Sequence, residues 1–272
     1  MDKPIAAPMM MTHIRLAAAA VAAACAMAAH ASAPDSTQCC PSGGTDDDAR
    51  LRTELSADIV SRYIWRGQDL GAVSLQPTLG VAWRGLSLTA WGNVGLSQPQ
   101  DDEEIDLTLA YEHGRLHVAV TDYWFAYSER SILDGLAADP SNRYFHYAAH
   151  DTNHLFEANV GYDFGLLTLD WFTNFAGCDG VNGSGRRAYS SYIQVEVPFR
   201  LAACDWTATV GAVPWATDFY DTAHGPAVTD ITLRAEHALR LSRHMELPLF
   251  AALSANPSTQ RAYLSFGLTL RP

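Results

Sequence analysis

The chain has 272 residues, with 18 basic and 30 acidic side chains, a net charge of -12 and 48% hydrophobic residues. The acidic balance argues against nucleic acid as a partner, because phosphate binding needs clustered Lys and Arg. The mean hydropathy of -0.05 is low for a helical membrane protein but normal for a membrane barrel, whose inward residues are polar. Beyond the N-terminal region, no run approaches the roughly twenty apolar residues of a transmembrane helix.

Residues 1–33 predict a secretory signal peptide. A positively charged start precedes an Ala-rich apolar run at residues 16–29, and Ala31-Ser32-Ala33 offers a small-x-small cleavage site. Residues 34–50 are rich in Pro, Gly, Ser and Asp and lack periodicity, so they predict a flexible periplasmic tail. Residues 51–272 are predicted to form one outer-membrane β-barrel domain.

From Leu51 onward, the chain is a series of segments in which apolar and polar residues alternate. In the first segment, Leu55 and Ile59 share one face and Glu54 and Asp58 share the other. In a soluble sandwich the apolar face would meet a second sheet, whereas in a barrel it meets lipid. The number of segments is even, as bacterial single-chain barrels require. The twelve predicted strands are residues 51–65, 74–83, 86–97, 104–112, 116–127, 156–164, 167–175, 189–199, 205–213, 230–241, 246–254 and 262–270.

The connections between these segments alternate between short and long. Short turns of outer-membrane barrels lie on the periplasmic side and long loops lie outside. The sequence therefore predicts an all-β, transmembrane, antiparallel up-and-down barrel with periplasmic termini. The tight connections are Arg84-Gly85, His113-Gly114, Phe164-Gly165, 200–204 and 242–245, and the longer ones are 66–73, 98–103, 128–153, 177–187, 214–229 and 255–260.

Aromatic residues cluster near the predicted strand ends. This placement favours an interfacial girdle at the membrane surface, although aromatic residues are common in any strand. The candidates are Tyr63, Trp65, Trp83, Tyr111, Tyr123, Tyr127, Tyr162, Phe164, Phe199, Trp206 and Trp215.

One short motif points to a family. Ser61-Arg62-Tyr63-Ile64-Trp65-Arg66-Gly67, followed by Gly71, resembles the S-x-Y-x-[FW]-R-G opening of the TorF-like porins, a group of small bacterial outer-membrane β-barrels. The motif resemblance covers only this segment, while the remainder agrees in architecture and length. It implies an outer-membrane barrel of poorly defined transport function, with Ser61, Tyr63, Trp65, Arg66 and Gly67 as the motif residues.

The polar faces of the strands supply the functional candidates, because they would line the lumen. One interpretation is a narrow polar channel with charge-based selectivity, in which the acid excess favours cations or neutral solutes. The alternative is a salt-bridged, filled lumen that only holds the barrel together. The lumen-lining candidates are Arg52, Glu54, Asp58, Arg62, Glu104, Asp106, Glu157, Asp163, Asp170, Glu196, Arg234, Glu236 and Arg240.

Other chemistries have weaker support. His146, His150 and His154 lie four residues apart and could share a helix face for a transition metal. Their segment runs into a strand, however, which favours surface histidines and no metal or cofactor. An outer-membrane lipid hydrolase would need a serine beside a base, and the chain has no H-x-S-N-G-like segment or G-x-S-x-G elbow. The chain is therefore predicted not to be an enzyme, and a soluble secreted β-sandwich is the remaining alternative.

The predicted function is a small porin-like channel for passive diffusion of small polar solutes in the bacterial outer membrane. Its predicted partners are outer-membrane lipid, the barrel-assembly machinery and a small polar solute. The topology also makes a prediction about thiols, because it places Cys178 in an outer loop and Cys204 in a periplasmic turn. A disulfide needs Cα atoms within about 7 Å, so these two residues are predicted not to pair.

Overall fold

The computed structural model describes residues 50–97, 103–126, 143–149, 152–222, 224–242 and 245–272. Twelve strands in these ranges form a closed barrel, and two short strands form a separate hairpin. No helix within the described ranges is long and apolar enough to span a membrane. The predicted signal peptide, and the predicted tail up to residue 49, lie outside the described residues.

The barrel strands range from nine to fourteen residues in length. Each pairs in antiparallel fashion with its two neighbours. The strands, in chain order, are β1 (Arg52–Val60), β2 (Tyr63–Trp65), β3 (Gln68–Gly71), β4 (Ser74–Trp83), β5 (Leu86–Gly95), β6 (Glu104–His113), β7 (Leu116–Phe125), β8 (His154–Asp163), β9 (Thr168–Gly177), β10 (Ser191–Leu201), β11 (Cys204–Val213), β12 (Ala227–Arg240), β13 (Glu246–Asn256) and β14 (Arg261–Leu270).

Strand β1 closes the barrel. Val60 of β1 is paired with Ser74 of β4 on one side and with Gly267 of β14 on the other. Every barrel strand therefore has a partner strand on each side, and closure leaves no edge strand in the barrel. The predicted all-β antiparallel barrel of about twelve strands is confirmed.

The outer surface of the barrel is apolar. Along β4, Leu79, Val81 and Trp83 are exposed, whereas the alternate residues Ser74 and Gln76 are buried in the interior. The same alternation recurs in β5, β6 and β7, where exposed apolar side chains such as Leu88, Leu109 and Val118 alternate with less exposed residues. An apolar surface that continues around a barrel is far larger than the patches that soluble monomers expose.

The two ends of the barrel differ. We call the end where β1 begins and β14 finishes the terminal end, and the opposite end the loop end. Connections 84–85, 114–115 and 202–203 lie at the terminal end, and the long connections lie at the loop end. One prediction was wrong: the β13–β14 connection, expected to be long, is reduced to residues 257–260 because the ladder continues until Asn256 pairs with Arg261.

The first strand is shorter than predicted. It ends at Val60, and residues 63–71 leave the barrel wall to form the β2–β3 hairpin. Arg66 and Gly67 occupy its turn with φ values of 49° and 78°. Two positive φ values in a two-residue loop are characteristic of a type I′ hairpin. The same dipeptide, Arg84-Gly85, joins β4 to β5 with nearly the same φ values of 51° and 79°.

Of the aromatic candidates, several near the terminal end lie on the outer face, whereas those of the motif do not. Trp83, Tyr111, Tyr162 and Phe164 are exposed on the outer face near the terminal end. Three other candidates contact residues inside the barrel instead, because the chain turns inward after β1 and because Tyr123 shares the inner face of β7. They are Tyr63, Trp65 and Tyr123. Tyr127 lies outside the described residues.

The two described cysteines lie at opposite ends of the barrel. Cys178 directly follows β9 at the loop end, and Cys204 is the first residue of β11 at the terminal end. Both thiols are free. The placement agrees with the prediction that they do not pair. Burial raises the pKa of the Cys178 thiol to about 12, so very little of it is thiolate at neutral pH.

We therefore expect Cys178 to resist alkylation. In the folded protein near neutral pH, N-ethylmaleimide should modify Cys178 at least about 100-fold more slowly than it does after unfolding, because the thiolate is the reacting species. Peptide mass spectrometry after timed quenching measures the rate at each site, with the partly exposed Cys204 as the internal control. Equal rates at Cys178 before and after unfolding would contradict the buried position.

Candidate functional site

The β2–β3 hairpin crosses the interior of the barrel at the loop end. It begins between β1 and β4, yet Tyr63 Oη donates to Glu104 Oε2 on β6 at 2.9 Å. At its tip, Arg66 reaches Glu157 on β8, and Asn256 Nδ2 at the end of β13 donates to the Gly67 carbonyl at 3.1 Å. Contacts to strands so far apart around the barrel mean that the hairpin spans the lumen rather than covering its rim.

A buried ion pair fixes the tip of the hairpin. The Arg66 guanidinium donates to both carboxylate oxygens of Glu157, at 2.6 and 2.9 Å, and its side chain is 7% exposed while that of Glu157 is 3% exposed. Arg66 also donates to Tyr220 Oη at 2.6 Å, and Tyr123 Oη donates to Glu157 at 2.9 Å. Two-point guanidinium–carboxylate pairing is the strong, geometrically specific form of this interaction.

Apolar side chains pack around the hairpin and fill the loop end. Three residues on the inner face of the wall are completely buried, whereas an open lumen would expose them to solvent. They are Leu155 of β8, Tyr192 of β10 and Val213 of β11. Phe219 and Tyr220, from the β11–β12 connection, fold into the same cluster, and Trp65 of the hairpin packs against it. At this end the interior of the barrel is a packed core.

The remaining motif residues also have defined contacts. The Ser61 N–H donates to the Phe266 carbonyl at 2.8 Å, and Ser61 Oγ accepts from the Phe266 N–H at 3.0 Å, at the point where the chain leaves the wall. Gly67 lies directly on the backbone of the β12 region, where a Cβ would come within 1.9 Å of the Thr229 carbonyl oxygen. The motif is therefore the sequence of the inward hairpin, not of a wall strand.

Most of the predicted lumen-lining residues lie on barrel strands. On each strand, these residues lie on the inner face, opposite to the exposed apolar side chains. Arg62 is the exception, because it lies between β1 and β2, where it pairs with Asp69 at 2.5 Å. Their role in transport stays a prediction. The strand residues are Arg52, Glu54 and Asp58 on β1, Glu104 and Asp106 on β6, Glu157 and Asp163 on β8, Asp170 on β9, Glu196 on β10, and Arg234, Glu236 and Arg240 on β12.

Acidic groups predominate on the inner wall. Asp170 is hydrogen bonded to His117 Nε2 at 2.7 Å and accepts from Asn159 Nδ2 at 3.1 Å. Asp230 is buried and accepts from Thr232 at 2.7 Å. Asp230 is not among the predicted lumen-lining residues, although the alternation that places Arg234 and Glu236 inside puts it on the same face.

The interior at the terminal end is open to solvent. Glu54 is exposed despite its inward position on β1. The Arg240 and Glu246 side chains, paired at 3.0 Å, remain 76% and 52% exposed. Arg234 donates to Glu236 at 2.6 Å and lies 3.6 Å over the Phe250 ring. The lumen is thus filled at one end and polar and exposed to solvent at the other.

The histidine prediction was wrong for His154, which is fully buried instead of lying on the surface. Its Nδ1 is hydrogen bonded to Asp122 Oδ1 at 2.8 Å and its Nε2 to the Tyr144 carbonyl at 2.5 Å, while the Tyr147 ring stacks on it at 4.0 Å. These contacts anchor residues 143–149 to the β7–β8 wall. Among the described residues no group of three His, Cys, Asp or Glu side chains could hold a metal ion, and His150 lies outside them.

Comparison with solved structures finds distant likenesses. No family model and no curated protein matches the chain. A mutant of the Rh. blastica porin is similar at 11% identity over 72% of this chain and 55% of the porin, with a TM-score of 0.36. An outer membrane channel from Pseudomonas putida is similar at 12% identity over 84% of this chain and 98% of the channel, with a TM-score of 0.38. The chain thus spans about half the length of the porin, and neither likeness bears on its function.

Proposed function

We propose that this chain is a bacterial outer-membrane barrel that acts as a narrow, constricted channel for small polar solutes. The apolar outer face supports the membrane assignment, because exposing its many Leu, Val and aromatic side chains to water is unfavourable. Exposed aromatic side chains near the terminal end match the interfacial position that Trp and Tyr prefer. The short connections at the terminal end favour a position of this end in the periplasm.

The observation that carries the channel proposal is the division of the lumen into two parts. The terminal half is polar, charged and exposed to solvent, whereas the hairpin and its apolar cluster constrict the loop end. The acidic excess on the inner wall, which includes Asp106, Asp170 and Glu196, favours cations and neutral solutes over anions. Passage requires either a residual path beside the hairpin or its displacement.

A second candidate is a structural barrel with a closed lumen. The complete burial of Leu155, Tyr192 and Val213 inside the loop end favours it, because packed side chains leave no room for solute there. The two candidates share the fold and the membrane location and differ only in conductance.

Planar-bilayer recording separates the two candidates. We expect the reconstituted protein to give small conductance steps with a cation-selective reversal potential in a KCl gradient. Replacing residues 62–71 by a short Gly-Ser linker should increase the step size, because the hairpin constricts the lumen. Gly183→Ala is the matched control, since Gly183 has no neighbour within 4 Å of an added Cβ.

Each outcome of the recording has a clear meaning. A silent wild type and a conducting linker variant would favour the closed structural barrel. Silence of both proteins, with correct folding shown by heat-modifiable gel migration, would contradict a channel of either kind. Anion selectivity in the wild type would contradict the proposed role of the acidic wall.

We also propose the chain organisation and the partners expected from the sequence. Residues 1–33 are removed as a signal peptide, residues 34–50 remain as a periplasmic tail, and residues 51–272 insert into the outer membrane with the help of the barrel-assembly machinery. N-terminal sequencing of the membrane-extracted protein tests the cleavage site. A mature N-terminus upstream of residue 31 would contradict it.

A further inference from the structure

The Arg66 guanidinium lies among three aromatic rings inside the barrel. Its Cζ atom is 4.4 Å from the Trp65 ring centroid, 4.1 Å from that of Phe172 and 4.7 Å from that of Tyr192. A cation within about 6 Å of an aromatic face is attracted by the negative face of the ring, and the attraction strengthens when water is excluded. Three such faces around one guanidinium form an aromatic cage.

The cage is completed by oxygen acceptors at the edge of the guanidinium. Glu157 accepts two hydrogen bonds and Tyr220 Oη accepts a third. The carboxylate is itself held by Tyr123 Oη, so its orientation does not depend on Arg66 alone. A guanidinium group is planar, so it can donate two hydrogen bonds to one carboxylate and stack on aromatic rings at the same time. An ammonium ion cannot make this combination of contacts.

Apart from Trp65, every group of this cage comes from outside the hairpin. Glu157 is on β8, Phe172 on β9, Tyr192 on β10 and Tyr220 in the β11–β12 connection. Each is held by the wall or by its own loop. Tyr192, for example, donates to Asp230 at 3.3 Å and lies over Gly211, where an added Cβ would come within 1.7 Å of the tyrosine oxygen. Most of the cage is therefore formed by the barrel wall and the β11–β12 connection, and the Arg66 side chain lies inside it.

We propose that Glu157, Phe172, Tyr192 and Tyr220 form a guanidinium-binding site in the lumen, in which Arg66 acts as a tethered ligand. When Arg66 is absent, a free guanidinium-type cation occupies the site. Because a tether gives an effective concentration in the millimolar range, Arg66 excludes dilute solutes in the wild type. The proposal rests on the proposed function and goes beyond it by naming the class of cation that the site binds when Arg66 is absent; such binding does not require conductance.

The test uses Arg66→Ala and methylguanidinium. Isothermal titration calorimetry of the folded variant in detergent micelles should show saturable 1:1 binding at millimolar concentrations, at least tenfold tighter than to the wild type, whose site is occupied. Arg186→Ala is the matched control, because Arg186 is an exposed arginine in the β9–β10 connection. This control should bind no better than the wild type.

A second substitution tests the role of the carboxylate. Arg66→Ala combined with Glu157→Gln should lose at least tenfold in methylguanidinium affinity, because the charged two-point acceptor is gone. Tetramethylammonium, which offers a cation without N–H donors, should bind Arg66→Ala at least tenfold more weakly than methylguanidinium does. Equal binding of the two cations would overturn the assignment to guanidinium.

Arg66→Lys covers the case in which Arg66→Ala does not fold. Lysine keeps the charge beside Glu157 but cannot fill the planar site, so methylguanidinium should compete with it more effectively than with wild-type Arg66. If neither Arg66→Ala nor Arg66→Lys binds methylguanidinium in its folded form, the proposal is wrong. Because calorimetry in micelles measures no transport, a failure here is distinguishable from silence in the bilayer recording, which bears on the channel alone.

Discussion

Arg66→Ala should destabilise the folded barrel by about 3–5 kcal/mol, because it leaves the Glu157 carboxylate buried without its counterion. Glu157 is 3% exposed and would retain Tyr123 Oη as a hydrogen-bond donor. Urea unfolding in lipid vesicles, followed by tryptophan fluorescence, measures the loss. The loss should be large because three aromatic rings also lose their contact with the guanidinium.

Two further variants separate the effect of charge from the effect of packing around Arg66. Arg62→Ala removes another arginine near the hairpin, but its pair with Asp69 is 42% and 16% exposed, so the loss should be no more than about 1 kcal/mol. Arg66→Leu combined with Glu157→Leu should recover most of the stability that Arg66→Ala loses, since the uncompensated charge is removed. A loss with the double variant as large as that with Arg66→Ala would show that packing, not charge, dominates.

Gly67→Ala should expel the tip of the hairpin from the lumen. The added Cβ would lie 1.9 Å from the Thr229 carbonyl oxygen, which is backbone and cannot move aside freely. The residue also has a φ of 78°, which costs a non-glycine residue roughly 1–2 kcal/mol. Both effects act on the turn, so we expect the hairpin to detach while the barrel ladder stays intact.

Limited trypsin digestion reads out this change, because trypsin cleaves after arginine and Arg66 lies at the tip. Cleavage after Arg66 should be at least about tenfold faster in Gly67→Ala than in the wild type, since local opening controls proteolysis. Gly114→Ala is the matched control: Gly114 has a φ of 64° but no neighbour within 4 Å of an added Cβ. Equal cleavage of Gly67→Ala and the wild type would contradict the close packing of the tip.

The barrel wall could be predicted from the sequence because strand alternation is a local property. In β14, Leu264, Phe266 and Leu270 share one face, and this pattern alone assigns the segment to a two-faced sheet. The short turns have local signals as well, such as the positive-φ pair at Arg84-Gly85. The strand number and the antiparallel order follow from counting such segments.

The hairpin could have been predicted in part. Arg66-Gly67 repeats the dipeptide of the Arg84-Gly85 turn, which marks a two-residue loop. The alternation nevertheless continues through Tyr63 and Trp65, and it assigns them to the outer face of a long first strand. That assignment is wrong because β1 ends at Val60. The hydrogen bonds that hold the chain at this point join Ser61 to Phe266, which lies 205 positions away, so no local pattern reveals the break.

The sequence by itself determined the class of fold, the strands and the two chemically distinct faces of the wall, because each depends on neighbours within a few residues. The tertiary structure decided what occupies the lumen. Whether charged side chains line a path or fill it depends on contacts such as that of Arg66 with Glu157, 91 positions away. Such contacts form only after the barrel closes and brings its far wall within reach of the hairpin, and no local pattern encodes that distance.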